Sequence, residues 1–224
     1  MKAKASSPEL VQLDFFTASK LLRKYRIPFA DFNTAKNRTE AQRIAQKLKF
    51  PVAAKIVSED ILHKTETGCV RAGLENENQV ARAYSEIIKN ARRNRARNID
   101  GVMIQKMHKG NEIIIGGKTD PQFGQVVLFG LGGIFVEVIK DVAVRIAPIT
   151  SRDALGMMKE IKGYRILTGA RGEKPVNLNR IADSIVSVSR MLAQHPEIHE
   201  MDLNPMFATE RDCTAVDVRI LVGK

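Results

Sequence analysis

The 224-residue chain has no tryptophan, three tyrosines and only 5% aromatic residues. That scarcity argues against modules that bind nucleic acid by stacking bases on aromatic rings. Cys69 and Cys213 are its two cysteines. They have no metal-ligand spacing and read as free thiols in a reducing, cytoplasmic compartment. No apolar run approaches the length of a membrane span. The start, MKAKASSPEL, carries two lysines but no apolar core, and does not read as a secretory signal. Repeats and low-complexity segments are missing too.

Acid is in short supply: 25 Asp and Glu stand against 36 Lys and Arg, a net charge of +11. Such a surplus suits nucleic acid, but equally anionic small molecules such as nucleotides or coenzyme A. The sharpest basic run is Lys89 to Arg97, KNARRNRAR. It reads as a solvated helix C-terminus, where cations also suit the dipole, or as a docking surface.

What is present is enough sequence for one large domain or two small ones. Ser7-Pro8 reads as the N-cap and first position of a helix to about Tyr25, with Val11, Phe15, Ala18, Leu22 and Tyr25 on one face. Thr39-Glu40-Ala41-Gln42 reads as a capping box for a helix to about Leu48. Strands are expected at Pro51–Val57 and Val70–Leu74, and a helix capped by Asn76 follows. From Gly101 the pattern changes to apolar strands: 101–107, 111–118, 125–129, 134–139 and 142–146, an antiparallel sheet. Helices read over 151–161 and 177–193, and two strands, 198–208 and 213–222, close the chain. The expected organisation is a tail at 1–9, one α/β subdomain at 10–98 and a second at 99–224, with the seam in the basic stretch.

The chain is organised around FPVAAKIVSEDILHKTETGCV, residues 50–70. Lys55, set among apolar strand residues, must reach an anion or snorkel to water. The polar loop that follows ends at Gly68, where the missing Cβ lets backbone approach a phosphate. An ordinary hairpin loop is the alternative. Glu112 opens a strand soon after Gln105-Lys106-Met107 and could accept hydrogen bonds from a ribose, or simply lie at a strand edge. Asn204 ends one late strand and Asp217 sits inside the next. Facing each other, they supply the hard oxygens that Mg²⁺ takes when phosphate and water complete its shell. A buried Asp217 network with Arg219 or backbone is the other reading. A lysine for phosphates, a glycine-ended loop, a ribose carboxylate and a magnesium pair together make a nucleotide site.

These residues carry a resemblance. PVAAKIVSEDILHKTETG, FGLGGIFVEV, DVAVRIAP, GARGEKP and EMDLNP with VDVR resemble the ATP-grasp beta subunit or domain of the ADP-forming acyl-CoA synthetases, relatives of succinyl-CoA synthetase. The likeness runs from about Leu10 to the C-terminus. It implies an ATP-grasp fold of class α/β (α+β), two α/β subdomains clamping a nucleotide between antiparallel sheets. It implies Lys55 and Gly68 at the phosphates, Gln105, Lys106 and Met107 at adenine, Glu112 at the ribose, and Asn204 and Asp217 on Mg²⁺. It also implies His63 as a phosphoryl carrier, with Glu137 and Arg145 in the catalytic cleft. The implied reaction is acyl-CoA + ADP + Pi to acid + CoA + ATP. The coenzyme A and acyl chemistry would lie on a separate alpha subunit in an α2β2 assembly. The family's Gly-Gly is Gly68-Cys69 here, and Thr168 and Asn177 replace the expected Leu and Asp. A stand-alone ATP-grasp carboxylate ligase, a catalytically impaired regulatory paralogue and a basic nucleic-acid binder are the competing expectations.

Overall fold

The computed structural model describes residues 9–61, 64–133, 140–170 and 174–223. Contact clustering divides the chain into two units, Ala30–His108 and the remainder.

The Ala30–His108 unit is built on four antiparallel strands: β2 (Phe32–Ala35), β3 (Val52–Val57), β4 (Val70–Leu74) and β5 (Gly101–Lys106), in the order β2-β5-β3-β4. Helices α2 (Arg38–Leu48) and α3 (Glu77–Arg93) cover one face. Strand alternation decides which residues go there. Val52, Ala54 and Ile56 of β3 and Val102 and Ile104 of β5 pack with Ala41, Ile44, Ala45, Val80, Ala83 and Ile87 of the helices. The intervening residues, Lys55, Met103 and Gln105 among them, fall on the other face. The strand expected at 70–74 and the Asn76-capped helix are as read from the sequence, with the Asn76 side chain accepting from Gln79 N. The cap of α2 is not. Asn37, rather than Thr39, accepts from Glu40 N, and Glu40 Oε2 reaches back to Lys36 N.

The second unit carries a seven-stranded antiparallel sheet. Its strands are β1 (Leu10–Gln12), β6 (Asn111–Asp120), β7 (Gly124–Leu131), β8 (Val142–Ile146), β9 (Ile198–Ala208), β10 (Cys213–Ala215) and β11 (Arg219–Gly223). The order is β1-β11-β9-β6-β7-β8, with β10 also on β9. Helices α1 (Phe15–Lys24), α4 (Ser151–Glu160), α5 (Tyr164–Leu167) and α6 (Leu178–Gln194) complete it. Ile113, Ile115, Phe129, Leu131, Ala143, Met201 and Leu203 of the sheet share a core with Met157 and Met158 of α4 and with Ile181, Ile185, Val188 and Leu192 of α6.

Three expectations are corrected here. The first helix begins at Phe15, not at Pro8. Asp14 caps it, accepting from Phe16 N and Thr17 N, while Leu10–Gln12 pair with Leu221–Gly223. Ser7 and Pro8 lie outside the described residues. The last strand is two strands, because residues 216–218 leave the ladder between β10 and β11. The seam is not at 98. β5 pairs with β2 and β3 and so belongs with the first unit, whereas β1 and α1 pack in the second. The strand expected at 134–139 lies outside the described residues.

Candidate functional site

In the first unit, Lys55 is half-buried on β3 opposite Met103, and Gln105 on β5 is opposite Ala53. Both side chains belong to the face that α2 and α3 leave. Gln105 is only 1% exposed, and its Nε2 has no hydrogen-bond partner among the described residues. A buried amide donor without an acceptor carries a desolvation cost that a ligand oxygen or ring nitrogen would relieve. Lys106 N donates to Asp31 O and Met107 N to Pro51 O, so backbone bonds fix this strand end. Met107 Sδ accepts from Gly73 N.

The loop after β3 closes on itself. Gly68 N donates to Thr65 O at 3.0 Å and Cys69 N to Lys64 O at 2.8 Å. Gly68 has φ +66°, a left-handed conformation that a Cβ opposes. A Cβ there would also meet Asn90 Nδ2 at 3.0 Å. The departure at Cys69 does not crowd the loop. Its side chain is fully buried in the core shared with α3, with Sγ 4.0 Å from Ile87 O. His63 lies outside the described residues, as does Glu137.

In the second unit, Glu112 is the second residue of β6. Its carbonyl accepts from Gly132 N at 2.8 Å. A Cβ on Gly132 would meet Glu112 Cβ at 3.0 Å, and one on Gly133 would lie 3.4 Å from Glu112 Oε2. Two glycines in succession therefore let the β7 end lie directly on Glu112, leaving the carboxylate bordered by backbone.

Asn204 and Asp217 are brought opposite one another by register. β10 pairs Ala215 with Met206, and β11 pairs Arg219 with Asp202. Both ladders have the same offset, which sets Asp217 against Asn204 in the unpaired stretch between them. Val216 N donates to Pro205 O at 3.1 Å and holds that stretch to β9. Met201 and Leu203 pack in the core, so alternation puts Asp202, between them, on the face away from α6, while Asn204 is exposed and Asp217 half-buried in the unladdered stretch.

Asp202 is the residue that sequence reasoning did not carry into the site. It lies opposite Gly116, and its Oδ1 is buried without a hydrogen-bond partner among the described residues. Burial first, then Glu200 and Asp217, push its pKa to about 6, while Arg219 opposes the rise. Its signal in the sequence was a carboxylate two residues before Asn204, between the apolar Met201 and Leu203. An amide oxygen and two carboxylates, one with an orphaned buried oxygen, fit a hard cation such as Mg²⁺. The described residues hold no cluster of three His, Cys, Asp or Glu able to ligate a metal alone, so phosphate and water would complete the shell.

Arg145 is not brought to this group. It follows Ala143, which points into the core, by two residues on β8. It therefore sits on the helix-covered face, ion-paired with Glu160 of α4. A groove of about 570 Å³ lies on the outer side of α2 and α3, lined by Arg38, Asn78, Ala81, Arg82, Ser85 and Glu86. It contains none of the sequence-predicted residues. No helix among the described residues is long and apolar enough to cross a membrane.

The ATP-grasp domain family model matches residues 4–222. The chain is 46% identical to the ADP-forming acetate–CoA ligase I subunit beta of Pyrococcus furiosus, over 99% of this chain and 95% of that one. It is also 46% identical to the ADP-forming acetate–CoA ligase I of Archaeoglobus fulgidus, but spans 30% of that longer protein. Among solved structures, the dinucleotide-forming acetyl-coenzyme A synthetase 1 of Ca. Korarchaeum cryptofilum, in complex with coenzyme A and Ca-AMPCP, superposes with a TM-score of 0.90. The two are 42% identical, over 94% of this chain and 93% of that one. The same enzyme with coenzyme A and Mg-AMPPCP, its phosphohistidine segment pointing towards the nucleotide-binding site, gives 0.82 at 39% identity, over 94% and 92% of the chains.

Proposed function

This chain belongs to the ATP-grasp domain family, alongside the beta subunits of the ADP-forming acetate–CoA ligases, and on that premise we propose that it is the nucleotide-handling subunit of an ADP-forming acyl-CoA synthetase. The observation that carries the reading is the register that opposes Asp217 to Asn204 beside the orphaned Asp202 oxygen. Within it, Asp217 Oδ1 accepts from the adjacent Val218 N at 3.0 Å, and Asp202 Oδ1 has no partner among the described residues.

In this reading Lys55 neutralises phosphate charge and Gly68 lets loop backbone approach it. Gln105, Lys106 and Met107 hold adenine, with Gln105 offering its unpaired Nε2. Glu112 accepts from the ribose hydroxyls. Asn204 and Asp217 hold Mg²⁺, with Asp202 beside them. Bound there, the cation supplies charge neutralisation for the phosphates.

His63 is the phosphoryl carrier. As the phosphoryl group passes to ADP, the bond between phosphorus and the imidazole nitrogen breaks and a bond to the terminal ADP oxygen forms. The electron pair returns to the ring, leaving neutral imidazole. Imidazole suits the relay because it is nucleophilic when neutral near pH 7. Glu137 is proposed in the same cleft. Arg145, the other catalytic candidate, would have to leave Glu160 to take part. The coenzyme A and acyl chemistry is assigned to a separate alpha subunit, in an α2β2 assembly. The reading carries a cytoplasmic location with it, where both buried cysteines remain free thiols.

The test is to incubate the chain and its coenzyme A-binding partner with Mg²⁺ and γ-labelled ATP. Acid-labile, base-stable label should appear on this chain and be absent in His63→Ala. Full turnover of His63→Ala would sink the relay role.

A further inference from the structure

The described parts of the loop between β3 and β4 are tied to α3 and the segment after it, and Gly68 O also accepts from Arg71 Nη1 of β4 at 3.2 Å. On one side of residues 62–63, Asp60 Oδ2 accepts from Arg97 N at 2.7 Å and Asn98 N at 2.9 Å. Ser58 Oγ donates to Asn98 O at 2.5 Å. These bonds hold the Asp60 carboxyl below its usual range, the Asn98 N–H contributing most. On the other side, Asn90 Nδ2 donates to Gly68 O at 2.9 Å. Asn94 Nδ2 donates to Thr67 O at 3.4 Å and to Asn90 O at 2.9 Å. Cys69 then buries its side chain against α3.

Asn90 and Asn94 are one helical turn apart on α3, so their amides present a row of donors to the loop. Asn94 is the C-cap of that helix, and residues 97–98 follow it by a few positions. The last turns of α3 and the segment after them therefore grip both described sides of the loop. Asparagine is a poor helix former. No basic side chain of the Lys89–Arg97 stretch takes part in these bonds, which come from the Asn90 and Asn94 amides, the Asp60 carboxylate, the Ser58 hydroxyl and the backbone of residues 97–98.

We propose that Asn90 and Asn94 are positioning residues that hold the Lys64–Gly68 turn in the geometry needed for phosphoryl transfer, with Asp60 fixing the start of the loop to residues 97–98. They act through the loop backbone and do not touch the nucleotide. The inference rests on the proposed function for the transfer step, but the anchor itself does not. Phosphoryl transfer is governed by placement, so a loop displaced by an ångström loses rate while the chain stays folded.

The experiment has two arms, both on the full chain. The first is amide hydrogen exchange in Asn90→Asp, which keeps size but loses the donor and sets a carboxylate against Gly68 O. Exchange at Gly68 and Cys69 should rise at least tenfold while α2 stays protected. Unchanged exchange there overturns the anchor whatever the protein's activity. The second arm measures label transfer at saturating nucleotide with the partner subunit present. Asn90→Asp and Asp60→Ala should each fall at least tenfold, and Asn90→Gln should recover part of the rate. Asn76→Ala removes the cap at the far end of α3. It should lower the melting temperature while leaving transfer unchanged. Equal losses in Asn76→Ala and Asn90→Asp would reduce the anchors to general stability and overturn the inference. Absence of label in the unaltered chain would overturn the functional reading and the positioning role with it, while the exchange result would still stand.

Discussion

Asp217 stands opposite Asn204 although neither lies in a paired rung, because the β10 and β11 ladders on either side of them share one register on β9. The pair is a consequence of strand geometry, and its first test is thermodynamic. Mg-ADP at 100 times its Kd should stabilise the chain by about 2.7 kcal/mol. For a chain of this size that is roughly 5–10 °C in melting temperature. The magnesium-dependent part should vanish in Asp217→Ala, as followed by calorimetry with and without chelator. A rise of equal size in the variant would remove Asp217 from the metal site.

Arg145 should matter less than its motif suggests. Its partner Glu160 is half-exposed, and exposed ion pairs contribute about 0–1 kcal/mol. Arg145→Ala is expected to cost under about 1 kcal/mol in urea unfolding. Its Mg-ADP stabilisation should match that of the unaltered chain. Loss of nucleotide response would show that the arginine exchanges Glu160 for the ligand.

Asp14 fixes where α1 begins. Its replacement by alanine should cost about 1 kcal/mol, the usual worth of an N-cap. The Thr17 hydroxyl, more than any other group, holds the Asp14 carboxyl below its ordinary value of 3.8. The folded state therefore favours the ionised form. Its contribution is present above pH 3.8 and lost as pH falls further. Urea titrations at pH 7 and pH 3 should show a smaller effect of Asp14→Ala at the lower pH.

Cys213 should be silent in the native state. Burial pushes its thiol up to about 12, with a Ser184 hydrogen bond opposing. The folded chain thus holds the proton between about pH 9 and 12 where the unfolded chain releases it. Stability falls as pH climbs through that window. Cys213→Ala should show a shallower fall between pH 9 and 11. A thiol reagent should find neither cysteine until the chain unfolds, since both are buried.

Local chemistry was legible where one segment decided its own structure. Val70–Leu74, the Asn76 cap and the long strand Ile198–Ala208 could all be read from alternation and turn residues. The first helix start was not. Ser7-Pro8 and Asp14 are both sound caps, and the choice between them is made by a strand from the far end of the sequence that pairs with Leu10–Gln12. The cap of α2 was read at Thr39, and the structure has Asn37 instead. Tyr84 Oη donating to Lys36 O helps fix the chain there, a contact from 48 residues away. The subdomain seam was misplaced for the same reason, since β5 takes its partners from the residues before the basic stretch.

For the site, the sequence by itself determined the chemistry: a lysine in an apolar strand, a glycine-ended loop, and oxygen donors near the C-terminus. These are properties of residue type and spacing, and they needed only the chain order. The tertiary structure alone decided which of them share a face. A strand turns successive side chains to opposite sides, and only the pairing of distant strands says which side meets the core. Pairing put Asp202 on the face away from α6, set Asp217 opposite Asn204, sent Arg145 to the helix face, and turned Cys69 into the core.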